Sequence, residues 1–132
     1  MNIYTHSVSC IGIGNFLCPA IAFCAPWLPG MGFTPGALVQ VLPETGGMRL
    51  TLCDKNIPKY SELLRVTEEK KGTLMTVGCC VTGIRLEIEG VYIRNAGLDV
   101  GDDLIVQYEY GLIRIRKLSE HLAYYNDERK GD

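Results

Sequence analysis

The sequence predicts a mainly β chain built from two copies of one β-β-(helical turn)-β-β unit, folded against each other as an intrachain pseudo-dimeric barrel. Three observations predict it: a repeat at a fixed shift, apolar alternation with period two, and glycines at the same turn positions in both copies. Shifting the chain by 65 positions lays residues 19–52 on residues 84–117 without a gap. Gly32, Gly36, Val41, Gly46 and Arg49 then fall on Gly97, Gly101, Val106, Gly111 and Arg114. The apolar positions correspond as well: Ile21 and Phe23 with Leu86 and Ile88, Trp27 and Leu28 with Tyr92 and Ile93, Phe33 with Leu98, and Met48 and Leu50 with Ile113 and Ile115. A unit this small cannot bury both faces of its hairpins alone, so two must associate, and the chain supplies both.

The second copy sets out the elements in order. Ile84, Leu86 and Ile88 alternate with Arg85, Glu87 and Glu89, the pattern of a strand with one buried face. Residues 91–96 suit a single helical turn that Gly97 ends in a left-handed conformation, with Leu98 folding back as the apolar residue after the cap. A turn follows through Gly101. Leu104, Val106 and Tyr108 then alternate with Ile105, Gln107 and Glu109, and after Tyr110 and Gly111 come Ile113 and Ile115 alternating with Arg114 and Arg116, which makes a hairpin. The first copy follows the same order, with Gly32 to Gly36 as its central turn and Glu44 to Gly47 as its hairpin tip. Pro26 and Pro29 flank its helical turn, where proline is tolerated in the first turn.

A β-prone segment lies upstream of each copy, at residues 5–13 and 73–81, which gives an expected four strands and one helical turn per unit. The expected organisation is a first unit at residues 1–53, a connector at 54–72, a second unit at 73–118 and a tail at 119–132, the two units forming one compact domain. Within the connector, Ser61 is placed to cap a short helix running to Lys70. The tail is expected to begin helical and to fray by Asp127.

The 132-residue length fits a single domain, and 47% hydrophobic with 21% charged residues is ordinary for a soluble globular chain. The net charge is −2, so composition alone does not call for a nucleic-acid partner. Charge is distributed unequally, however: the first 43 residues carry none, and every Asp, Glu, Lys and Arg lies at or after Glu44. This uncharged stretch lacks the basic start of a signal peptide, and prolines and glycines interrupt it before it reaches the length of a membrane span. A cytoplasmic protein with no membrane partner is therefore expected, with the uncharged first unit buried by self-association. Cys10, Cys18, Cys24, Cys53, Cys79 and Cys80 form no CxxC pair, and only His6 and His121 are present to complete a site. Buried thiols in a reducing compartment are expected, with no metal and no cofactor. If Cys79 and Cys80 share a strand, they point to opposite faces.

Two stretches carry a family resemblance. Cys18-Pro-Ala-Ile-Ala-Phe-Cys-Ala-Pro-Trp-Leu-Pro-Gly-Met-Gly-Phe-Thr-Pro-Gly36 is similar to the SymE toxin-like signature of Pro-x-Ile, a Trp-Leu pair, Gly-Phe and a following Gly. Arg85-Leu-Glu-Ile-Glu-Gly-Val-Tyr-Ile-Arg-Asn-Ala-Gly-Leu-Asp-Val-Gly-Asp-Asp-Leu104 resembles the AbrB form, including its Gly-Leu-x-x-Gly-Asp turn. Together they resemble the SpoVT-AbrB swapped-hairpin family, over about half of the chain. The resemblance implies a bacterial protein whose paired units form a swapped-hairpin barrel and bind DNA or RNA. AbrB-like members are DNA-binding regulators or antitoxins, and SymE-like members are associated with type I toxin action and RNA cleavage. The AbrB pattern has one basic residue opening the second strand and another in the helical turn. Arg85 and Arg94 hold those places, whereas the first copy has Ala20 and Pro29.

Nucleic-acid contacts are accordingly expected from Arg85 and Arg94, joined by Arg114, Arg116 and Lys117 as a basic stripe on the final strand. The competing reading pairs these cations with Glu87, Glu89 and Glu109 across the sheet, and residues 84–117 hold five basic and six acidic side chains. Trp27 and Tyr92 are candidates for base stacking, but their matched places beside Leu28 and Ile93 favour core anchors. No acid-base constellation for RNA cleavage is visible, since His6 and His121 lie outside both copies, and no catalytic residue is assigned. A third reading is a structural or oligomerisation module centred on the uncharged unit.

Overall fold

The strand ladder follows the repeat in a computed structural model that describes residues 2–9, 11–13, 18–53, 60–80, 83–89 and 91–118. The first copy contains β1 (Asn2–Ser9), β2 (Ile11–Ile13), β3 (Cys18–Cys24), a 3-10 turn (Pro29–Met31), β4 (Leu38–Glu44) and β5 (Gly47–Leu52). Helix α1 (Tyr60–Glu69) leads to the second copy: β6 (Thr73–Thr76), β7 (Gly78–Cys80), β8 (Gly83–Glu89), α2 (Val91–Asn95), β9 (Asp103–Glu109) and β10 (Leu112–Lys117). The 65-residue shift carries β3, β4 and β5 end to end onto β8, β9 and β10. Among the described residues each upstream segment divides between the two sheets, giving five strands per copy where four were expected. Val77 shows the reason: its N–H donates to Ala37 O at 3.0 Å and its carbonyl accepts from Gly36 N–H at 2.8 Å, so the chain turns there from one sheet to the other.

All pairings are antiparallel, in a six-stranded sheet of order β1-β9-β10-β5-β4-β6 and a four-stranded sheet of order β2-β3-β8-β7. Exchanging the two copies reverses each order into itself, which is the mark of an internal two-fold axis. Registers place that axis: Ala22 faces Glu87 between β3 and β8, and Arg49 faces Arg114 between β5 and β10, each residue opposite its own counterpart. The first strand of each copy leaves home, β1 pairing with β9 and β6 with β4. The expected closed barrel is not formed. β1 and β6 end one sheet, and β2 and β7 end the other. With β2 and β7 only three residues long each, the ladder has no continuous strand with which to wrap into the stagger that closure requires.

Alternation places the core between the sheets. Ile21, Phe23, Leu86 and Ile88 from one sheet meet Val39, Val41, Met48, Leu50, Leu104, Val106, Ile113 and Ile115 from the other. The helical turns close the ends by the same device in both copies. Gly32 and Gly97 take positive φ values of 92° and 81°, which returns Phe33 N–H to Leu28 O and Leu98 N–H to Ile93 O. Phe33 and Leu98 are fully buried as a result. Trp27 lies flat against Tyr108, ring centroids 3.7 Å apart and planes 3° from parallel, so the first copy's turn is anchored on the second copy's hairpin. Helix α1 covers the outer face of β4: buried Thr67 accepts a hydrogen bond from Gln40 Nε2 at 2.8 Å and donates to Leu63 O at 2.7 Å. It begins at Tyr60, ahead of the expected cap at Ser61, while residues 54–59, the whole 119–132 tail with His121, and the His6 side chain lie outside the described residues.

The cysteines depart from expectation. Cys24 and Cys79 are exposed and Cys53 is half-buried, because Cys24 stands on the outward face of β3 and Cys79 on the edge strand β7. Burial raises the pKa of the Cys53 thiol above the ordinary value, with the backbone at Gln40 lowering it in part. At about pH 8.5, the usual thiol pKa, exposed Cys79 is expected to alkylate faster than half-buried Cys53, whose rate should keep rising as pH climbs above that value. Mass spectrometry of alkylated peptides along a pH series measures both. Gly47 tests the central strand pairing. A Cβ there would collide with the Ile115 carbonyl oxygen and stand 2.9 Å from Arg116 Cα. Gly47→Ala is expected to cost about 1–3 kcal/mol in urea unfolding. Gly30→Ala, with nothing within 4 Å of the new methyl, is expected to stay within about 0.5 kcal/mol of the parent.

Candidate nucleic-acid interface

Strand parity sorts the side chains of β5 and β10. Met48, Leu50, Ile113 and Ile115 point into the core, so Arg49, Arg114 and Arg116 stand on the outer face of the six-stranded sheet. Register sets Arg49 opposite Arg114 and Arg116 opposite Gly47, which has no side chain to cover its neighbour. Two like charges directly opposed on antiparallel strands destabilise the pairing unless a counter-charge intervenes. Glu44, across from Gly47 on β4, supplies it: its Oε1 lies 3.4 Å from Arg49 Nε and 3.9 Å from Arg114 Nε. One carboxylate oxygen thus serves two guanidinium groups. Both Nε atoms are buried and make no hydrogen bond, while the side chains as a whole remain 41% and 32% exposed. Arg116 has no ion pair among the described residues. The outcome is a row of three arginines answered by one carboxylate, with the axis running through it.

The remaining expected contacts lie elsewhere. Arg85, on the outer face of the four-stranded sheet between Cys24 and Gly78, pairs with Glu87 at 3.1 Å. Arg94 is exposed on α2 and stands 3.9 Å from Asp99. The two do not converge: Arg85 faces Cys24 at one end of the β3-β8 ladder, and α2 follows Glu89 and its partner Ala20 at the other. Four residue steps along β8 lead from Arg85 to Glu89, roughly 13 Å. Lys117 shares the parity of Ile113 and Ile115 and lies 3.7 Å from Asp102, so the expected basic stripe on β10 reduces to Arg114 and Arg116. Arg49 was not among the expected contacts. The signal for it was present, since Arg49 and Arg114 are the one basic pair that the repeat keeps identical, and Glu44 coincides with Glu109 under the same shift.

No family model matches the chain, and no match appears among the curated proteins or the solved structures. Among the described residues, no group of His, Cys, Asp and Glu could hold a metal ion, and no helix is long and apolar enough to cross a membrane.

Around the row, the two sides of the axis differ. The second hairpin tip is docked on the first copy's helical turn, with Gly111 N–H donating to Met31 O at 2.9 Å. The first hairpin tip stands off from α2 instead. Between them is an open polar cleft of about 550 Å³, lined by Pro43, Glu44, Thr45, Gly46, Asn95, Ala96 and Gly97.

The shared carboxylate gives a stability test. Glu44→Gln is expected to lower stability by about 1 kcal/mol at low salt, because it leaves Arg49 facing Arg114 without a counter-charge. The deficit should shrink in roughly 1 M salt, where such repulsion is screened. Urea unfolding at the two ionic strengths measures it.

Proposed function

We propose that the chain is a nucleic-acid-binding protein of the swapped-hairpin type, a single-chain counterpart of a two-fold dimer that grips a phosphate backbone with the outer face of its six-stranded sheet. The observation that carries this reading is the row of Arg49, Arg114 and Arg116 with one carboxylate between them. Guanidinium groups match phosphate oxygens in geometry and are weakly hydrated, so such a row suits backbone contact over base readout. The passage of β1 and β6 into the other copy's sheet supports the swapped-hairpin description, and with it the class of DNA-binding regulators and antitoxins that the sequence resembles. Both DNA and RNA present the phosphates this reading requires.

A second role, self-association, is favoured by the exposure of Pro26, Pro29, Gly30, Thr34, Pro35 and Gly36, an uncharged surface on the first copy's turn. The two roles use different faces.

Fluorescence anisotropy with short DNA and RNA, titrated across ionic strength, tests the main reading. Exchanging Arg114 and Arg116 together for alanine is expected to weaken binding by about tenfold or more and to reduce the salt slope by about two. The Arg85→Ala, Arg94→Ala double variant should lose less, because each of those residues has its own acidic neighbour. Absence of binding by the parent protein at low salt would overturn the proposal. For self-association, light scattering is expected to show mass rising with concentration, and a strict monomer removes that role.

A further inference from the structure

Glu44 and Glu109 occupy equivalent places in the two copies, yet only Glu44 bridges the arginines on the axis. Its Oε1 lies within 4 Å of both Arg49 Nε and Arg114 Nε, and the contact is ionic, with no hydrogen bond from either Nε. That oxygen stands where a phosphate oxygen would stand in a two-arginine seat. A tetrahedral phosphate has more acceptors to distribute between two guanidinium groups than the one oxygen Glu44 shares, so the present arrangement leaves donors that a better-matched anion would satisfy.

Glu44 also has somewhere else to go. It lines the polar cleft between the first hairpin tip and α2, with Thr45 and Asn95 on the same walls. On the other side of the axis, the Gly111–Met31 hydrogen bond and the approach of Tyr110 to Gly32 hold the second tip in place. The two carboxylates are thus equivalent in sequence and unequal in surroundings: Glu109 is exposed, whereas Glu44 is half-buried between the arginines and the cleft.

We propose that Glu44 is an internal stand-in for a nucleic-acid phosphate: its carboxylate holds the Arg49–Arg114 seat until a phosphodiester replaces it and the carboxylate turns into the cleft beside Asn95. The exchange is anion for anion, so the seat stays neutralised throughout and its arginines stay oriented in the empty protein. This inference rests on the nucleic-acid reading above and adds the regulation of that site.

Anisotropy titrations at low salt with an oligonucleotide bearing no terminal phosphate, compared among the parent, Glu44→Gln, Glu44→Asp and Glu109→Gln, separate the cases. Glu44→Gln and Glu109→Gln each remove one negative charge from equivalent positions on the outer face of one sheet, and of the two only Glu44 is ion-paired with the arginines. Glu44→Gln is expected to bind about fivefold tighter than the parent, and Glu109→Gln to change less than about twofold. Glu44→Asp keeps the charge but withdraws the carboxylate by one methylene. It is expected to lie between Glu44→Gln and the parent, and it stands in should Glu44→Gln fail to fold. Equal tightening by both glutamine variants would reduce Glu44 to general charge, and weaker binding by Glu44→Gln would make it a support for the arginines. Either result overturns the stand-in while leaving the nucleic-acid reading intact. A parent protein and variants that all fail to bind would overturn both.

Discussion

Two antiparallel pairings hold the structure together, β3 with β8 and β5 with β10. At each, the chain meets its own repeat in register, Ala22 against Glu87 and Arg49 against Arg114. β1 with β9 and β4 with β6 complete the pairing between the copies. The hairpins β4-β5 and β9-β10 become one continuous sheet only through β5-β10, and the exchange of β1 and β6 follows because each finds its free edge on the far side of that sheet. Close approach at the centre requires Gly47, whose missing side chain admits the Ile115 carbonyl. Neither sheet has a complete core of its own, since the buried residues of each face those of the other.

Duplication within one chain relaxes a requirement that a true two-fold dimer must meet. In a dimer, a residue on the axis faces its own copy, so a small residue cannot be set against a charged one. Ala22 faces Glu87 here because the two positions are encoded separately. The same freedom appears farther from the axis. Gln40 bonds Thr67 beneath α1, while its counterpart Ile105 is buried. Pro43 lines a cleft, while its counterpart Tyr108 stacks on Trp27. At the arginine pair alone the axis retains identical partners, and there the repulsion inherent in symmetry is relieved by Glu44, drawn from one side only.

Much of this was legible in the sequence, for local reasons. Glycines at positions 32, 97, 46 and 111 have positive φ and sit where turns were expected, because few other residues adopt that conformation at low cost. Period-two alternation located β3, β4, β5, β8, β9 and β10, since one face of each strand is buried. Features set by tertiary partners were not legible. The division of residues 73–81 at Val77 depends on a bond to Ala37, and nothing in the local pattern distinguishes one strand from two. Alternation likewise says nothing about whether a ladder closes, which is why open sheets replaced the expected barrel. In the candidate site, Arg85 and Arg94 are nine positions apart in sequence but are held at opposite ends of a ladder whose register only the structure supplies. Arg49 is masked by the uncharged character of the first copy, although its identity with Arg114 is visible in the repeat. Lys117 was the reverse case: parity with Ile113 and Ile115 already turned it from the stripe.

The exchange of strands also dictates an order of events during synthesis. β1 leaves the ribosome before β9 but pairs with its residues from Asp103 to Tyr108, and β3 pairs with residues from Arg85 to Glu89 of the later β8. The uncharged stretch through residue 43 therefore exists as nascent chain before the second-copy strands that pair with β1 and β3 have been made. Such a segment, rich in β-prone apolar residues and without charges to keep it apart from its neighbours on a polysome, depends on rapid completion of the second copy or on shelter by a chaperone. The duplication that makes the protein its own partner also makes the first half wait for the second.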